Sequence, residues 1–169
     1  MGRTVLVDEP YQQGYRYECQ QAPGRGFDPG FSPDLTPRQL LVLGVFGGNY
    51  FSRPPHEFPA RWFSGVRLSD TGHADAALNY FGVHASQPLS VWEQKGWIFP
   101  EDPKGWFLWY CRYYLGRRIP EEDARQIGRW RNMRRHVTQL QRHCPPGDLG
   151  CRPRQRQALL HWAYDSRAL

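Results

Sequence analysis

The sequence predicts an all-α protein, a compact single-domain bundle of about six helices behind an irregular N-terminal arm. Three observations lead there. Apolar residues make up 40% and aromatics 15% of 169 residues, enough to fill one core without staples. Helix-start signals recur at Thr36, Asp102, Pro120 and Pro153. Strand-like pattern is scarce, with TVLV near the N-terminus as one short candidate.

Residues 1–35 read as the arm, because APGRGFDPGFSPD is punctuated by Gly and Pro. Residues 36–169 form the expected helical domain. In TPRQLLVLGVFGG, Thr36 is the N-cap, Pro37 the first helical residue, and Gly47-Gly48 the stop. The apolar run from Leu40 to Phe46 makes this a central buried helix. A short helix follows from Pro59, then a loop through RLSDTGHADAALNYFGV leading to a short apolar segment. Another short helix lies in ASQPLSVWEQKGW, capped by Ser86 and stopped at Gly96. DPKGWFLWYCRYYLGRR starts at Asp102 as cap and packs Trp106, Phe107, Trp109, Tyr110, Tyr113 and Tyr114 into about three turns. The longest helix runs from Pro120 to about His143, with Glu121, Glu122 and Asp123 favourably placed in its first turn. CPPGDLG breaks the chain, and the last helix opens near Pro153.

Charge is unevenly spread. Residues 1–104 hold nine Lys and Arg against eleven Asp and Glu, whereas residues 105–169 hold thirteen against five. Twenty of the twenty-two cations are Arg, the side chain suited to bidentate phosphate contacts. An Arg-rich composition also follows from a GC-rich genome, so the placement of the arginines matters more than their number. No apolar run approaches the roughly 18 residues that span a bilayer. MGRTVLVDEPYQQGY carries no secretory h-region, and Leu6 stands where a myristoylation signal wants Ser or Thr. A cytoplasmic protein with no membrane partner is expected, and Cys19, Cys111, Cys144 and Cys151 are then expected as reduced thiols. Cys144 and Cys151 flank PPGDLG, a spacing that suits a small bridge or two metal ligands with His143 as a third. Zinc pairs are spaced more tightly and a second pair is missing, so no metal is expected.

On the long helix, Trp130, Met133, Val137, Leu140 and Cys144 share one face, opposite Arg131, Arg135 and Arg142. Arg125, Arg129, His136 and His143 lie on a flank. Such a face is often just a solvated surface, but few acids follow Asp123 to neutralise it. The last helix adds Arg152, Arg154 and Arg156 at its start. Cations there oppose the helix dipole, at a few tenths to about 1 kcal/mol each. Either an external phosphate offsets this cost, or Asp148 and other carboxylates of the fold do. Tyr113 and Tyr114, interleaved with Arg112, Arg117 and Arg118, are candidates to stack a base, weighed against ordinary core packing.

Catalytic signals are weaker. His161 and Asp165 stand i, i+4 on the last helix, the spacing of an oriented imidazole, against a plain surface hydrogen bond. Cys111 sits among aromatics, which would leave its thiol inert unless Arg112 and a histidine activate it. Gly44, Gly47 and Gly48 follow no predicted strand and make no dinucleotide fingerprint, and no cofactor is expected. Asn79, His84 and Ser86 read as loop-capping residues.

GVFGGNYF, NYFGVHASQPLSVWEQKGWIFPEDPKGWFLWYCRYYLGRR and CRPRQRQALLHWAYDSR together resemble a family of uncharacterised small proteins associated with bacteria, fungi and plants. The resemblance spans roughly residues 30–167 and implies a single domain, with no activity, cofactor or residue role attached.

The expected function is binding of a polyanion, DNA or RNA, by a small basic protein through Arg131, Arg135, Arg142, Arg152, Arg154 and Arg156. Two alternatives stand beside it. One is an enzyme on a small phosphorylated or nucleotide substrate, using the same arginines as a clamp. The other is a module docking on an acidic protein. Oligomeric state is not set by the sequence.

Overall fold

The computed structural model describes residues 2–85, 89–96 and 98–169. The fold is α+β, which corrects the all-α expectation. The supposed irregular arm carries an antiparallel hairpin, β1 (Arg3–Glu9) paired with β2 (Gln12–Cys19), Val5 opposite Tyr17 and Arg3 opposite Cys19. Alternation explains it: Val5, Val7 and Glu9 of β1 are buried while Thr4, Leu6 and Asp8 face out. β2 is harder to recognise because only Tyr17 and Cys19 are fully buried and QQGYRYEC is mostly polar. Among the described residues, no helix is long and apolar enough to cross a membrane.

The chain divides into two compact units, each built from three segments. The first holds Met1–Ser32, Pro55–Pro59 and Gln87–Arg129. It contains the hairpin and, following α1 (Pro37–Val42) of the other unit in chain order, α2 (Leu89–Gln94), α3 (Trp106–Leu115) and most of α4 (Pro120–Asn132). Ser86, the expected cap of α2, lies outside the described residues. α3 is buried at every position except Tyr114. Phe31 meets the rings of Trp109, Tyr110 and Tyr113, each at 5.5 Å and edge-on, an arrangement that favours aromatic pairs beyond their area. Gly116 ends α3 at φ 113°, and a Cβ there would lie 2.0 Å from the Gln21 carbonyl oxygen, so only glycine fits.

Asp102 does not cap α3; Gly105 takes that position and makes no side-chain cap. The carboxylate is instead fully buried between two guanidinium groups, accepting from Arg112 Nη1 at 3.0 Å and from Arg117 Nη1 and Nη2 at 2.8 and 2.5 Å. Arg112 is itself wholly buried. Its Nε and Nη2 grip Glu57 at 2.8 and 2.9 Å, and its remaining donors reach Gln12 Oε1 and the Glu101 carbonyl. Burial alone would lower its pKa, but the hydrogen bond and charge of Glu57, with Asp102, hold it above the ordinary guanidinium range. Tyr11 and Tyr17 donate their hydroxyls to the same Glu57, at 2.7 and 3.0 Å.

The second unit holds Pro33–Pro54, Ala60–Ser86 and Trp130–Leu169. Its first helix, α1 (Pro37–Val42), starts as expected, with Thr36 and Gln39 forming a capping box. It stops at Leu43 rather than running to Gly47. Gly44 turns left-handed at φ 64°, where a Cβ would meet the Leu78 carbonyl oxygen at 2.0 Å. The short helix expected from Pro59 is a 3-10 turn at Ala60–Phe63.

The single long helix expected from Pro120 to His143 is broken. α4 ends at Asn132 and α5 (Arg134–His143) begins after Met133. The cause is local competition for one carbonyl. The Trp130 oxygen accepts from the Tyr164 hydroxyl at 2.6 Å and from Met133 N at 3.1 Å, while the two rings stack at 5.0 Å. Bonds of the i to i−3 kind then replace the α ladder, and the axis shifts. α6 (Pro153–His161) and a 3-10 turn at Ser166–Ala168 complete the unit.

Removing one member of the buried ionic cluster strands the others away from water. Arg112→Ala is expected to lower unfolding free energy by about 3–5 kcal/mol, read from chemical denaturation. Exposed Arg16→Ala, as a control, should change it by less than about 0.5 kcal/mol.

Candidate polyanion-binding surface

α5 and α6 lie side by side in the second unit. Gln155 of α6 ties them, its Nε2 donating to Gln139 Oε1 at 2.6 Å and lying 2.9 Å from His136 Nδ1. The loop joining the helices is closed by a disulfide between Cys144 and Cys151. This corrects the expectation of reduced thiols at those positions, and two sulfurs bonded to each other are not metal ligands. Cys19 and Cys111 are free and buried.

Of the six arginines predicted to form the site, five are exposed: Arg131 on the last turn of α4, Arg135 and Arg142 on α5, and Arg152 and Arg154 at the start of α6. Among the described residues, none of these five makes an ion pair with a carboxylate. Asp148, the expected internal partner, spends its carboxylate on Gly150 N at 3.1 Å. The stretch from Trp130 to Leu169 carries eight Arg against two Asp and no Glu or Lys. One of those two, Asp165, is already taken by Arg167 at 2.7 and 2.9 Å.

Arg156 must be removed from the set. It is fully buried and donates only to main-chain carbonyls, those of Cys151, Asp148, Ser166 and Leu169, at 2.8 to 2.9 Å. A signal for this was present: Arg156 stands i−3 and i−4 from Leu159 and Leu160, both buried, and so lies on the core side of the helix. Arg154, two residues earlier, points elsewhere.

The predicted stacking residues are also part of the fold. Tyr113 is 2% exposed, its hydroxyl accepts from Asp28 N at 2.8 Å, and the Arg118 guanidinium covers its ring at 3.8 Å. Tyr114 is half-buried, with Phe27 and Tyr110 edge-on at 6.0 and 6.3 Å. Tyr113 therefore presents no free face to a base.

The catalytic candidates do not assemble. Cys111 is completely buried in α3, and burial raises its thiol well above the ordinary range, which leaves it an unreactive core residue. α6 ends at His161, so the helical spacing to Asp165 is lost: Ala163 turns left-handed at φ 62°, and Asp165 pairs with Arg167 and caps the following turn. His161 packs on the Phe46 ring at 4.9 Å. An open depression of about 320 Å³ lined by Asp34, Arg134, Thr138, Tyr164 and Asp165 does not include His161.

Burial lowers the His161 pKa to about 4, against a hydrogen bond to Val45 that raises it. A depressed histidine favours the unfolded chain once that chain takes up the proton. Stability is therefore complete above about 6.5 and falls as pH drops from there toward 4. Thermal melts across that window should show the loss, and His161→Gln should flatten the curve there while shifting stability at pH 7 by a constant amount. No protein-family model, curated protein or solved structure matches this chain, so the functional reading comes from its own residues.

Proposed function

We propose that the protein binds a nucleic acid by its phosphate backbone, using Arg131, Arg135, Arg142, Arg152 and Arg154. The observation that carries this reading is the exposure of all five positions together with their lack of carboxylate partners among the described residues. A guanidinium left to solvent keeps its fork of donors free for phosphate oxygens. Tyr113 is packed in the core and Tyr114 is half-buried against Phe27 and Tyr110, so base stacking is not part of this reading. Contacts confined to phosphates position a protein without reading sequence. The enzyme alternative loses its named groups, since Cys111 is inert and His161 is not paired with Asp165.

Affinity for labelled single- and double-stranded oligonucleotides, measured at several salt concentrations, tests this. Five phosphate contacts give a slope of log affinity against log salt of roughly −4.5 on duplex DNA. Arg152→Ala with Arg154→Ala should make that slope shallower by about 2 and leave the melting temperature nearly unchanged. Arg156→Ala should instead lower the melting temperature. No binding at low salt, or binding indifferent to changing all five exposed arginines, would sink the reading.

A further inference from the structure

The two arginines at the start of α6 are held there by a strained piece of backbone. Arg152 is the N-cap residue of α6, lies in the left-handed region at φ 53° and ψ 56°, and has no side-chain cap. Left-handed backbone is unfavourable for a residue with a Cβ and persists only where the surroundings impose it. Two restraints act next to it. Before it, Cys151 is bonded to Cys144, the C-cap residue of α5, with the Cα atoms 5.8 Å apart. After it, Arg156 reaches back to the Cys151 and Asp148 carbonyls at 2.8 and 2.9 Å. The intervening PPGDLG segment is largely exposed and otherwise held by short turn bonds, Asp148 N to the Pro145 oxygen and Cys151 N to the Asp148 oxygen, both 3.1 Å.

We propose that the Cys144–Cys151 disulfide is a redox-controlled clasp that sets Arg152 and Arg154 beside the arginines of α5, so that its reduction weakens nucleic-acid binding. The proposal rests on the phosphate-binding reading above and adds its regulation. Cys144 is buried and Cys151 half-buried, so an incoming dithiol meets the Cys151 sulfur. Its thiolate attacks that sulfur, the S–S bond breaks, and the electron pair leaves on Cys144, which takes a proton. The second thiol of the reductant then displaces Cys151, which is also protonated. Two electrons reach the protein, and the dithiol ends as a disulfide. Without the covalent tie, the left-handed Arg152 relaxes and the start of α6, where Arg152 and Arg154 stand, loses its fixed position, while Gln155 still ties the helix to α5. Arg135 and Arg142 lie within α5 and keep their places.

The experiment compares the oxidised full chain, the same chain in dithiothreitol, and Cys144→Ser with Cys151→Ser, each titrated into a labelled DNA duplex over a range of salt. Near-ultraviolet circular dichroism follows the tryptophan-rich core of each. Reduction and the double serine variant should both make the salt slope shallower by about 2, the loss of two phosphate contacts, with core spectra unchanged. Arg152→Ala with Arg154→Ala should already show the shallow slope and respond no further to reductant. Binding that is tight in the oxidised protein and indifferent to reduction overturns the clasp alone. So does a reductant effect that persists in the double alanine variant. Failure of the oxidised protein to bind at low salt overturns the phosphate-binding reading and the clasp with it.

Discussion

Arg112 spends every one of its five N–H groups inside the protein, and the first unit is organised around that fact. Its four partner residues come from three places in the chain: Gln12 on the hairpin, Glu57 in an otherwise isolated five-residue segment, and Glu101 and Asp102 just before α3. Arg117, beyond the other end of α3, shares Asp102. Tyr15 and Tyr17 place their rings 5.0 and 5.4 Å from the Arg112 guanidinium, which closes the site to water. A buried pair of this sort adds little net stability over a hydrophobic substitute, because desolvation offsets the attraction. Its effect is directional. Each carboxylate must arrive where the guanidinium can meet it, so the cluster fixes which segments come together more than how strongly.

That constraint also explains what was legible in the sequence. Helix starts written in local chemistry could be read: Thr36 with Pro37, Pro120 with its acidic first turn, and Pro153. Features decided by distant partners could not. Asp102 beside Pro103 looks like an N-cap and is instead drawn into the ionic cluster. β2 reads as a polar stretch because only Tyr17 and Cys19 of QQGYRYEC are buried, and the rings of Tyr15 and Tyr17 lie over the Arg112 guanidinium, a partner distant in sequence. The break at Met133 depends on the hydroxyl of Tyr164, thirty-four residues away in sequence from Trp130. Residue-to-residue periodicity carries no trace of that bond.

The candidate site was legible to a similar degree and for a similar reason. Composition placed the positive charge in the C-terminal stretch, and helical periodicity put Arg131, Arg135 and Arg142 on one outer face of a single helix; all three are exposed, but Arg131 stands on α4 and the other two on α5. Treating Arg152, Arg154 and Arg156 as one group ignored the same periodicity. Residues two apart on a helix point about 200° from each other and residues four apart about 40°. Arg156 therefore shares the core side with Leu159 and Leu160, while Arg154 faces solvent. Arg152 stands outside the helix proper, where its left-handed backbone sets its direction.

The puzzle of cations at a helix start thus divides into two answers. Arg156 needs no external anion, because four carbonyl oxygens supply the negative ends of dipoles that a carboxylate would otherwise provide. It is a structural cross-link that happens to carry charge, joining the Cys144–Cys151 loop to the chain beyond α6. Arg152 meets a single amide oxygen, Gln155 Oε1 at 3.4 Å from its Nη1, and among the described residues neither Arg152 nor Arg154 pairs with a carboxylate, so both still face the positive end of the helix. The buried arginine adds its own charge a turn away, so the field at the α6 start is more positive than the helix alone would make it. On the phosphate-binding reading proposed above, a phosphate at the α6 start would be attracted by the two exposed guanidiniums and by the buried one. On that same reading Arg156, which cannot touch the ligand, would act through the loop whose Cys151 and Asp148 carbonyls it holds and through the potential it adds.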